Sequence, residues 1–259
     1  MAGFFGLFDY SKPGKGVYKN EPQKSHFAQF WTLVQRKFWN LVQLNLLYLL
    51  FCIPIVTIGP ATCGMTYILR QYATEQPVFL VSDFWDNFKQ NFKQGFLFSL
   101  IQGVITVMVV VSAVFYFMEA KMHVWMYITL GLCLMVLLLT TFASYYIYLM
   151  IVTLELPLKA IIKNGLIFAI LGIKRNFITL FFTMLVIVPI TYFFPVTVIL
   201  PICIAITFCC FIICYNSYPL IKKMAVEPYI EQLREQQGEL LETEQQNVFS
   251  DDPTREGLE

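Results

Sequence analysis

FWNLVQLNLLYLLFCIPIVTIGPATCGMTYIL, residues 38–69, runs for 32 residues without an Asp, Glu, Lys or Arg. Three more such runs follow at 94–118, 124–154 and 176–221, of 25, 31 and 46 residues. A hydrocarbon core of about 30 Å takes about 20 apolar residues as helix, so each run can hold one span or more. With 58% hydrophobic and 14% charged residues over 259, and a mean hydropathy of +0.64, the chain is too apolar for a soluble domain of this size. The fold class read from this is all-α, a polytopic membrane helical bundle. Its expected parts are a cytoplasmic N-terminal segment at 1–37, partly membrane-associated, a transmembrane domain at 38–216, and an acidic, Gln-rich cytoplasmic tail at 217–259.

The near-neutral total hides a polarity: ten of the seventeen acids lie from Glu227 onward and six of the eighteen basic residues precede residue 38. Neither end has the pattern of a nucleic-acid binder. The opening MAGFFGLFDYSKPGKG lacks a basic n-region, so the first span rather than a cleaved signal is expected to target the chain. FFGLF followed by Lys12, Lys15, Lys19 and Lys24 suits the anionic inner leaflet. The acidic stretch 225–247 reads as a solvated, partly helical tail.

The positions of the basic residues test the number of spans, because short loops rich in Lys and Arg stay cytoplasmic. Spans near 38–58, 60–78, 95–118, 124–152, 176–194 and 196–216 put 17 of 18 basic residues on one side, with only Lys121 opposite. Without a return after Pro60 the division is 11 to 7. About six crossings are therefore expected, with both termini cytoplasmic. The second is short or re-entrant, since Pro60 breaks the helix and Arg70 follows ten residues later. Two cytoplasmic interfacial helices are expected. SDFWDNFKQNFK (82–93) sets Phe84, Trp85, Phe88 and Phe92 against Asp86, Lys89 and Lys93, and LPLKAIIKNGLIFAIL (156–171) is its counterpart at an offset of 80. The offset hints at an internal repeat.

Few residues invite chemistry. Gly95, Ser99 and Gly103 place small side chains on one helix face, a surface for close packing inside the chain or with a partner or second copy. Asn45 and Gln102 are uncharged polar groups within spans. Arg70, Glu75 and Glu155 are the polar candidates at the inner surface. PGKG at 13–16 lacks the spacing of a phosphate loop, and no hydrolase elbow, zinc-peptidase motif or carboxylate pair is present. The seven cysteines, Cys52, Cys63, Cys133, Cys203, Cys209, Cys210 and Cys214, fall in apolar runs without His or carboxylate neighbours. No metal, cofactor or catalytic residue is expected.

GFFGLFDYSKPGKGVYKNEPQK, RKFWNLVQLNLLYLLFCIPIVTIGPATCG and DFWDNFKQNFKQG resemble the YesL-like family of bacterial integral membrane proteins, over roughly residues 3–220. The most specific part is Asn45 with Cys52, Ile53, Pro54, Thr57, Ile58, Gly59 and Pro60. The family's biochemistry is largely unassigned, but its genes tend to lie beside those for carbohydrate ABC importers. The resemblance thus implies a multi-pass protein of the bacterial plasma membrane, with a non-enzymatic accessory role in carbohydrate uptake or its regulation. Its partners would be the lipid bilayer and importer subunits. The alternative is a transporter or channel for a small neutral solute, with Asn45 and Gln102 lining its path.

Overall fold

The computed structural model describes residues 26–119, 123–228 and 230–231. The expectations for FFGLF, PGKG, Lys121 and most of the acidic tail concern residues outside that set. The described residues form α1 (His26–Phe51), α2 (Ile58–Ala73), α3 (Leu80–Gln90), α4 (Phe92–Glu119), α5 (Met126–Ile151), α6 (Leu158–Leu171), α7 (Ile173–Tyr192) and α8 (Ile206–Ile221). Short 3₁₀ turns and two π-helical segments, Pro201–Ala205 and Lys222–Val226, complete the all-helical order. The chain divides into two units, Met1–Arg36 and Lys37–Glu259. Only the opening turns of α1 are described in the first, with Phe27 and Trp31 exposed there. The bundle and its contacts belong to the second.

Among the described residues four helices are long and apolar enough to cross a membrane: α4, α5, α7 and the segment Cys203–Val226 that contains α8. The chain is a membrane-embedded helical bundle. The last helix starts close to the expected 196–216: after an apolar turn over 193–198, with Phe193, Phe194 and Val196 exposed, the chain is helical from Ile199 through the π-helical segment Pro201–Ala205 into α8. Hydropathy alone does not separate an apolar turn from a span. α1 and α2 are not among the four. α1 carries Arg36, Lys37, Asn40, Gln43 and Asn45, and the 16 residues of α2 rise only about 24 Å.

α1 and α2 form an antiparallel hairpin. Lys37 lies 5.2 Å from the Tyr72 ring centre, and the Tyr48 and Thr62 hydroxyls are 3.4 Å apart. α2 packs on α3, α4, α5 and α8, and ten of its 16 residues are buried, which makes it the centre of the core. The hairpin's depth follows from Gly59, which abuts Gly95 and Ser99 in the first two turns of α4. Beyond Ser99, α4 runs on to Glu119, about 30 Å further. The tip of the hairpin therefore stands beside the beginning of α4.

α2, a six-residue loop, the short α3, a break at Asn91 and the long α4 are followed by α5, a six-residue loop, the short α6, a break at Gly172 and the long α7. In each half the short helix folds back on the helix before it. Phe84 of α3 sits on Gly64 of α2, and Gly165 of α6 receives Ile147 of α5. Phe84 and Phe88 are consequently buried, stacked around Phe51 at ring distances of 5.3 and 5.1 Å. The aromatic face of α3 is spent on its own chain, and Trp85 stays partly exposed.

Candidate functional site

The residues singled out around the first run gather at the α1–α2 turn. The Thr57 hydroxyl donates to the carbonyls of both Phe51 and Pro54, tying the last turn of α1 to the 3₁₀ turn Ile55–Thr57. Pro60 lies in the first turn of α2, where a missing N–H costs nothing. Gly59 brings α2 against the backbone of α4, and Gly95 answers it. A Cβ on Gly95 would lie 2.8 Å from Cys63 Sγ and 3.1 Å from Pro60 N. Ser99 donates to the Phe96 carbonyl of its own helix. Gly103 is not part of this contact; nothing lies within 4 Å of where its Cβ would be. The two halves of the small-residue face thus have different surroundings, one inside the chain and one open.

Asn45 is fully buried, and its Oδ1 accepts from both the N–H and the hydroxyl of Thr207, each at 3.0 Å. Thr207 also reaches Met65 Sδ at 3.8 Å, so α1, α2 and α8 meet at one point. Two further polar links join spans. Tyr146 donates to Asn176 Oδ1 at 2.7 Å, while Asn176 donates to the Ala169 carbonyl, and Asn216 donates to the Arg175 carbonyl at 2.8 Å. Thr207, Tyr146 and Asn176 were not singled out from the sequence. A lone Tyr or Thr in an apolar run carries no signal of its partner.

Arg70, in the last turn of α2, lies at the C-terminus of α5. Its guanidinium donates to the Val152 carbonyl at 3.0 Å and to Thr153 Oγ1 at 2.9 Å, and it lies 4.9 Å from the Tyr67 ring centre. A cation there satisfies carbonyls that the helix leaves unpaired and opposes the negative end of its dipole. Glu75 lies in the loop after α2 with a left-handed φ of 56°. Glu155 is exposed on the α5–α6 loop.

That loop forms one wall of a cavity of about 470 Å³, lined by Ile151–Pro157 on one side and by Asn87, Gln90, Asn91 and Gln94 on the other. The four carboxamides are spaced as one helical face running from α3 into α4. This pattern was legible in the sequence, but the aromatic residues between them dominated the reading of 82–93. Of the three inner-surface candidates, Glu155 lines the cavity and Arg70 holds its far wall. All seven cysteines are free thiols, and among the described residues no group of His, Cys, Asp and Glu could hold a metal ion.

Residues 41–113 match a family model described as "Protein of unknown function, DUF624". The match runs from within α1 to within α4 and so contains the hairpin, its glycine contact and the carboxamide face. It supports kinship with that family over this segment. No curated protein and no solved structure matches the chain.

Proposed function

We propose that the chain is a non-enzymatic accessory subunit of the bacterial plasma membrane that docks through α4 onto another membrane assembly. By its resemblance to the YesL-like proteins, that assembly is a carbohydrate ABC importer. The observation that carries the reading is the state of α4: from Leu100 to Glu119 it has no buried residue, and Gly103 stands open on that stretch. One face of α4 packs along α5 while the rest is open to lipid or to a second helix, and an open glycine there permits close approach. Asn45, on which the solute-transporter alternative leaned, spends its Oδ1 on Thr207, which favours packing over a path.

Mild-detergent capture of the tagged chain with mass spectrometry is expected to recover importer membrane subunits, and recovery should fall when Gly103 is replaced by Leu. Recovery of the chain alone, under conditions that keep importer complexes whole, would refute the reading.

The threading proposed with it places both termini in the cytoplasm, with four full crossings by α4, α5, α7 and α8. α1 and α2 enter the inner part of the bilayer and return. Support comes from the place of Gly59 beside the first turns of α4 and from the exposed apolar tip, where Ile53, Ile55 and Val56 are 76, 83 and 54% accessible. The distribution of basic residues is the same as for six crossings, because a hairpin that enters and returns also leaves both its ends on one side. Single cysteines in a cysteine-free background, probed with a membrane-impermeant thiol reagent on intact cells, are expected to label at position 121. Positions 89 and 174, and position 55 at the tip, should be protected. External labelling at 55 would show that α1 and α2 cross fully.

A further inference from the structure

The cavity between the α3–α4 corner and the α5–α6 loop presents four carboxamides on one wall, in a chain that is 58% hydrophobic. Its carboxamides are only partly used. Asn87 donates to the Asp83 carbonyl at 2.9 Å, Asn91 to the Asn87 carbonyl at 3.2 Å, and Gln94 across the cavity to the Leu156 carbonyl at 3.2 Å. Each bond consumes one amide N–H. A second N–H and the carboxamide oxygen of each residue have no partner among the described residues, and the Gln90 side chain forms no hydrogen bond among them. The facing wall is held in place from two sides. Arg70 grips the Val152 carbonyl and Thr153 Oγ1, and Gln94 grips Leu156, so the loop is fixed before any ligand arrives.

The charge of the lining selects the ligand class. Among the described residues no Lys or Arg lines the cavity, which disfavours a phosphate or carboxylate, and Glu155, at the exposed rim, is the one acid among them that does. A volume of about 470 Å³ falls within the range of small-molecule pockets, roughly 300–1,000 Å³, and is far too large for a bare ion. Carboxamides donate and accept side by side, as a hydroxyl does, and four on one face match a row of hydroxyls without a change of charge. We propose that this cavity binds an uncharged polyhydroxyl group, either a free saccharide or the glycosyl headgroup of a membrane lipid. The inference does not depend on docking through α4, because the site is built entirely within the chain.

The test uses the full chain in nanodiscs with two arms. In one, maltose is titrated calorimetrically into nanodiscs of phosphatidylglycerol and phosphatidylethanolamine. In the other, those nanodiscs are compared with ones containing diglucosyl diacylglycerol, and the thermal midpoint is read. Saturable heat in the first arm assigns a free saccharide; a raised midpoint in the second alone assigns a lipid headgroup. Either response should weaken about tenfold in Gln90→Leu, which breaks no side-chain bond of the protein, and in Asn91→Leu. No response in either arm overturns the proposal. So does an unchanged response in Gln90→Leu, or displacement by inorganic phosphate at concentrations equal to the sugar.

Discussion

Gly59→Ala is expected to destabilise the protein by about 3 kcal/mol, the upper end of what one added methyl costs in a packed core. Its Cβ would overlap the Gly95 carbonyl oxygen and Ser99 Oγ, and would lie 2.7 Å from the Gly95 carbonyl carbon. Most of that neighbourhood is backbone and cannot rotate away. The contact is close from both sides, since a Cβ on Gly95 would in turn meet Cys63 and Pro60 of α2. In detergent the thermal midpoint should fall by about 10 °C on the scale usual for chains of this size. Gly103→Ala is the matched control, because nothing lies within 4 Å of its added Cβ, and it should melt like the parent. Equal midpoints for all three proteins would mean that α2 and α4 do not meet at Gly59.

How far the sequence foretold this arrangement depends on the kind of information each part required. α4, α5 and α7 lie within a few residues of the expected 95–118, 124–152 and 176–194, because a charge-free run bounded by Lys, Arg or Glu marks a membrane helix by desolvation cost alone. Pro60 signalled a break, and it does open a new helix. What local pattern could not supply was direction after a turn. The folding of α3 onto α2 is set by a complementary pair, Gly64 and Phe84, twenty residues apart, and that of α6 onto α5 by Ile147 and Gly165. The same limit applied to the candidate residues. Gly59 and Gly95 were noticed separately, one in a motif and one in a small-residue face, and only the tertiary structure shows them to be two sides of one contact. Asn87, Gln90, Asn91 and Gln94 had a readable spacing, but their meaning depends on the α5–α6 loop that stands opposite.

The second large effect is expected at Asn45, replaced by Leu to keep volume while removing the acceptor. Thr207 would lose the partner of both its N–H and its hydroxyl, at a point where neither Thr207 nor residue 45 is reached by solvent. An unpaired donor in such surroundings costs about 1–3 kcal/mol, and the figure expected is about 2 kcal/mol because the hydroxyl can turn toward Met65 Sδ. The N–H has no such freedom. It lies in the first turn of α8, two residues past the π-helical segment Pro201–Ala205. Thr207→Val removes only the hydroxyl and should cost about 1 kcal/mol. The double variant Asn45→Leu with Thr207→Val should fall short of the sum of the two, since both lose the same bond. Thermal midpoints of the three variants in one detergent measure this. Additive losses would show that Asn45 and Thr207 are not bonded to each other. A loss below additivity would establish that the residue most distinctive of the first apolar run acts across 162 positions of sequence, fixing the hairpin to the last span and thereby holding its tip at the first turns of α4.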